Sequence, residues 1–154
     1  MTLASLAIAL HILSAVVWVG GMFFAYQILR PVAAQQLEPP QRLQLWAQVF
    51  RRFFPWVWVC IVLLPLSGYW MVYRRFGGMS GIGLHIHIMQ VLGWLMILLF
   101  LHLYFSPFRR LREAVITEQW PEAGKRLRQI RFIIGVNLSL GLIVIAIAAA
   151  GRYL

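Results

Sequence analysis

The chain has 154 residues, 62% of them hydrophobic and 12% charged, with a mean hydropathy of +0.79. A water-soluble domain of this size has too little interior to hide that much apolar surface, so lipid must be the solvent for most of it. The formal charge of +10 would suit nucleic acid in a soluble protein, but the basic residues fall between apolar runs, where membrane topology accounts for them and no nucleic-acid partner is needed.

The N-terminal run lacks the basic start of a secretory signal and continues past the length of one, so it reads as a retained membrane helix. It is the first of four apolar spans, about Leu3 to Leu29, Phe53 to Tyr73, Leu84 to Phe105 and Ile130 to Ala150. Each reaches the roughly 20 residues needed to cross hydrocarbon as a helix. Period-two alternation is lacking, which excludes a β-barrel. The expectation is an all-α integral membrane four-helix bundle forming a single transmembrane domain over residues 1–154.

Within the first span lies LHILSAVVWVGGMFF, Leu10 to Phe24, which sets His11 among apolar residues. An ionisable side chain there costs roughly 2.5 kcal/mol or more on insertion scales, so it is kept for a purpose. Around it Ala4, Ala7, Ser14, Ala15, Trp18, Gly21 and Ala25 recur at helical spacing. Such small residues serve close helix packing and also leave a flat slot beside the imidazole.

The connections differ in charge. The first carries Arg30, Arg42, Arg51 and Arg52, and the third carries Arg109, Arg110, Arg112, Lys125, Arg126, Arg128 and Arg131; the other side has Arg74, Arg75 and Arg152. By the positive-inside rule the first and third connections are cytoplasmic and both termini external, in a multi-pass protein of the cytoplasmic (inner) membrane. Both cytoplasmic connections are partly amphipathic and should extend the membrane helices or lie along the interface, anchored by Trp46 and Trp120. The external connection, Gly77 to Gly83, is too glycine-rich for regular structure.

In the second span Pro65 precedes Ser67 and Gly68 and predicts a kink, with Ser67 or a neighbouring helix satisfying the disturbed backbone. Cys60, the one cysteine, reads as a small buried hydrophobe. In the fourth span Asn137 needs a partner inside the bundle, either another helix or a bound molecule.

All four histidines, His11, His85, His87 and His102, lie in the first and third spans, which run in the same direction. At 1.5 Å per residue His11 lies roughly 12 Å below its outer end, His87 about 5 Å and His102 nearly 30 Å, so His11 and His87 share the outer half. His85 and His87 point about 200° apart on a helix. The His87 face continues through Gln90, Val91 and Trp94, and the His85 face through Ile88, Met89, Leu92 and Met96, which lipid would accept. This selects His87 as the inward ligand and leaves His85 an external role.

Two imidazoles across an apolar slot suit the axial positions of a haem iron. On this first reading His11 and His87 ligate haem b, Trp18 and Trp94 pack on the macrocycle, Arg74, Arg75 and His85 meet the propionates, and Asn137 is a further cofactor-facing group. An enzyme of this kind would be a haem-dependent oxidoreductase exchanging electrons with quinone, a redox partner or a porphyrin-like substrate, possible also as a homo-oligomer. The alternative is a copper transport or copper resistance protein, with Met79, His85 and His87 clustered at the external mouth, since thioethers and imidazoles suit Cu(I). A non-catalytic assembly subunit is the third.

The segment ALHILSAVVWVGGMFF, Ala9 to Phe24, resembles the first helix of the HemJ group, membrane proteins linked to protoporphyrinogen oxidation, and the third span with His85, His87 and His102 and the start of the fourth, Arg131 to Asn137, are similar again. The chain also resembles the CopD family, named for copper resistance, to which the VWVGGMFF and RFF segments look closer. The resemblance implies that His11 matches the haem-ligating histidine of HemJ. His87 stands where that pattern has a lysine, and Leu138 follows Asn137 where it has an acid. These departures point away from protoporphyrinogen oxidation, and a histidine at 87 strengthens a bis-histidine haem.

Overall fold

The computed structural model describes residues 2–151 and 153; Arg152, counted above on the external side, lies outside them. Four long helices make up the fold: α1 (Leu3–Gln36), α2 (Pro39–Phe76), α3 (Leu84–Ile116) and α4 (Trp120–Ala150). All four are long and apolar enough to span a membrane, and the protein is an all-α multi-pass membrane protein. At 1.5 Å per residue they run about 46 to 57 Å, well beyond the ~30 Å of hydrocarbon.

That surplus lies mostly at one end. The helices pass through the segments expected as connections, leaving only residues 37–38 between α1 and α2 and 117–119 between α3 and α4. The expected helix extensions are therefore what the two basic segments form, and they carry the arginines as projecting helical arms. Pro39 and Pro121 each stand in a first helical turn, where the missing N–H costs nothing. At the opposite end, Thr2 caps α1 by accepting from the Ser5 N–H at 3.2 Å, and Gly77, at φ 68°, ends α2 in the left-handed conformation.

Two π-helical turns interrupt the rods, Phe24–Leu29 in α1 and Tyr104–Phe108 in α3. The first comes just before Pro31 and the second contains Pro107. A widened turn relieves the clash between a proline ring and the carbonyl four residues back.

Helix α1 packs along α2, α3 packs along α4, and α4 touches all three others. The Arg-rich half is filled with aromatic rings. Phe50 stacks on Phe54 at 5.1 Å, Phe54 meets Phe108 edge-on at 4.7 Å and Phe100 at 5.4 Å, and Trp18 closes on Phe100 at 6.3 Å. Because lipid is as apolar as these side chains, such packing supplies helix association where a hydrophobic driving force is weak. Nearer the termini the interior changes character, with glycine, serine and histidine replacing the rings.

Candidate functional site

His11 is half-buried and turned toward α2. Its Nδ1 lies 3.1 Å from the Leu64 carbonyl oxygen and 2.9 Å from Ser67 Oγ. The Ser67 hydroxyl spends its proton on the Leu63 carbonyl at 2.5 Å, so toward His11 it can only accept. Two acceptors face one ring nitrogen, which fixes the proton on Nδ1 and leaves the Nε2 lone pair available. No hydrogen bond occupies Nε2 among the described residues.

The local sequence of α2 makes this contact. The Leu63 carbonyl takes the Ser67 hydroxyl and the Leu64 carbonyl takes the His11 N–H, one turn from the Ile61 carbonyl that Pro65 leaves without its ladder donor. Gly68 admits the ring, since a Cβ there would come within 3.2 Å of His11 Cε1. Pro65, Ser67 and Gly68 carry a signal in sequence as a kink; their joint use as a histidine seat needs the tertiary pairing of α1 with α2.

Toward the termini the same α1–α2 seam opens into a cleft of about 430 Å³, lined by Ala4 and Ile8 of α1 and by Trp70, Met71, Arg74 and Arg75 of α2. Ile8 and Ala4 stand one and two turns from His11 on its own face. Arg74 lies over the Trp70 ring at 5.9 Å. Two of the expected propionate residues thus sit at the mouth of the seam that holds His11.

The other candidates are placed apart. Trp18 is 3% exposed and sealed against Phe100. Asn137 is buried, and its Nδ2 donates to the Met96 carbonyl at 3.1 Å, so another helix is the partner it finds, while Oδ1 has none. His102 is exposed.

On α3 the inward face is not the one read from the sequence. Met96, expected toward lipid, is 4% exposed, and Trp94, expected inward, is 46% exposed. His87 lies on the exposed side, whereas His85 rests against Gly151 at the end of α4. Trp94 Nε1 donates to the Tyr69 hydroxyl at 3.0 Å, and Gln90 Nε2 approaches Met79 Sδ at 3.7 Å. The polar residues of this face are thus met by Tyr69 of α2 and by the glycine-rich connection. The sulfur of Met79 is brought near the turn that bears His87, but no group of three or more His, Cys, Asp or Glu side chains gathers among the described residues.

Residues 47–150 match the family model described as Copper resistance protein D. The chain belongs to the CopD family. Comparison with curated proteins and with solved structures finds no match for it. In this CopD protein the matched region covers α2 from Ala47 onward and the whole of α3 and α4, and so contains Leu64, Ser67, Gly68 and Met71; His11 precedes it.

Proposed function

We propose that this CopD protein handles copper within the cytoplasmic membrane, with His11 Nε2 as an intramembrane ligand. The observation that carries the reading is the hydrogen bonding of Nδ1 to Leu64 and Ser67. Metal-bound histidines commonly donate their second N–H to a carbonyl or carboxylate, which orients the ring and raises its basicity. Two sulfur atoms flank this ligand along the same face of α2. Met71 lies one turn beyond Ser67 and lines the terminal cleft, and buried Cys60 lies one turn before Leu64. The three donors thus follow one seam over about 16 Å, and thioether, imidazole and thiolate all suit Cu(I). Met79, His85 and His87 remain the proposed entry group at the external mouth. The excess of arginine at the far end supports a cytoplasmic placement of that end and external termini.

Titrating purified protein with Cu(I) against a chromophoric chelator tests this. His11→Ala should weaken binding by at least tenfold, Met71→Leu should weaken it less, and unchanged affinity in His11→Ala would refute the assignment.

Haem b is the second reading, favoured by the cleft that places Arg74 and Arg75 above His11. These residues suit one axial nitrogen and the propionates. The second axial ligand would be His87, which lies on the exposed side of α3, so the side-chain arrangement favours copper. Electron exchange with quinone or a redox partner belongs to this reading alone. A reducible Soret band in protein from haem-replete cells, lost in His11→Ala, would reverse the order of the two.

A further inference from the structure

At the Arg-rich end the first turns of α2 and α4 bound a second cleft, of about 400 Å³. Its walls include Arg42, Arg128 and Arg131, and beside them lie Trp120, Leu43 and Leu127. Arg131 Nε is buried and has no hydrogen-bond partner. The titratable groups acting on Arg131 are Arg30, Arg42 and Arg128, of its own sign, and the Tyr26 hydroxyl, which acts in the opposite sense.

The nearby acids do not neutralise this cluster. Glu122 is engaged by Arg126 at 2.7 Å and Glu113 by Arg109 at 3.4 Å, and Glu38, one residue before the cleft, forms no ion pair among the described residues. Arg30 has the Tyr26 ring at 4.9 Å. For Arg42, Arg128 and Arg131 no acidic partner occurs among the described residues. A buried guanidinium N–H without a protein acceptor, surrounded by like charge, is stabilised by an anion that enters.

We propose that this cleft holds the phosphate group of an anionic phospholipid. Guanidinium forks match phosphate oxygens in pairs. The starts of two long helices also face the cleft, adding partial positive charge. A lipid fits better than a free ion because Trp120, Pro39 and Pro121 offer apolar surface beside the charges. Arg131 also stands immediately before the apolar run that opens with Phe132, at the level of a head group.

Native mass spectrometry of the full-length protein in detergent, offered phosphatidylglycerol or phosphatidylcholine, tests the proposal. Wild-type protein should retain phosphatidylglycerol with a preference of about tenfold or more. Arg131→Gln should abolish that preference, and Arg109→Gln, whose residue projects elsewhere and pairs with Glu113, should keep it. Arg128 is exposed, so Arg128→Gln cannot disturb the core and should weaken the preference even where Arg131→Gln fails to fold. Equal retention by wild type, Arg128→Gln and any folded Arg131→Gln protein would overturn the site. Complete displacement of the lipid by millimolar inorganic phosphate would overturn the lipid and identify a free-phosphate site.

Discussion

His11 Nδ1 stands 3.1 Å from the carbonyl oxygen of Leu64, the residue immediately before Pro65. An intramembrane imidazole is thereby tied to backbone rather than to another ionisable group, and its protonated nitrogen is fixed by what faces it. Ser67 supplies the second acceptor at 2.9 Å. Replacing it with alanine leaves the Leu64 bond and removes one of two, so Ser67→Ala should unfold with a loss of about 1 kcal/mol. Its Cu(I) affinity should fall about tenfold through looser ring orientation. Steric-trap or denaturant unfolding and chelator competition read the two effects separately.

Gly141 marks the point where three helices meet. A Cβ there would lie 2.8 Å from Val19 Cγ2 and 3.2 Å from Met96 Cε. The methionine can yield, but the β-branched valine is stiff. Gly141→Ala should therefore cost about 1–3 kcal/mol, and Val19→Ala in the same chain should recover part of it. Thermal unfolding of the two single variants and the double variant completes the cycle; simple additivity would contradict the contact.

Asn137 makes one interhelical hydrogen bond, to the Met96 carbonyl, and leaves Oδ1 unpartnered in a site 2% exposed. Gain and cost nearly offset. Asn137→Leu should change stability by no more than about 1 kcal/mol. A larger loss in an unfolding titration would mean that Oδ1 holds a bound molecule after all.

Gly20 and Gly21 are alike in sequence but not in use. A Cβ on Gly21 would run into the Phe53 ring, whereas Gly20 has nothing within 4 Å. Gly21→Leu should lower stability by about 1–3 kcal/mol and Gly20→Leu by less than about 0.5. Fluorescence-detected chromatography after a heat step distinguishes them, and an inverted order would place the α1–α2 interface on the wrong face.

The four spans were legible because twenty or so apolar residues leave few alternatives to a membrane helix. Even the amphipathic connections declared themselves, since Leu43, Trp46 and Phe50 share one face and all three are buried, although this puts Trp46, expected as an interfacial anchor, in the core against Phe50 instead. Orientation of α3 was harder. Its apolar residues surround the helix, so Gln90 had to decide the face, and its partner proved to be Met79 of the glycine-rich connection instead of a facing helix. His11 was recognisable as anomalous from its cost alone. Its partners were not, because Leu64 contributes a backbone oxygen, which no side-chain pattern reveals. Likewise Arg42 and Arg131 read as topology signals until α2 and α4 bring them to one cleft.

The uneven filling of the bundle has a mechanical consequence. Interlocked rings clamp α2 and α3 near the arginines, whereas closer to the termini the side chains of these helices are joined by the bond between Trp94 and Tyr69. Breaking that bond forfeits about 0.5–1.5 kcal/mol, while the short connection of residues 77–83, reached by Gln90 at Met79, still tethers the two helices at that end. The bundle is thus stiff at its aromatic base and laced by a few polar ties and one loop near the termini.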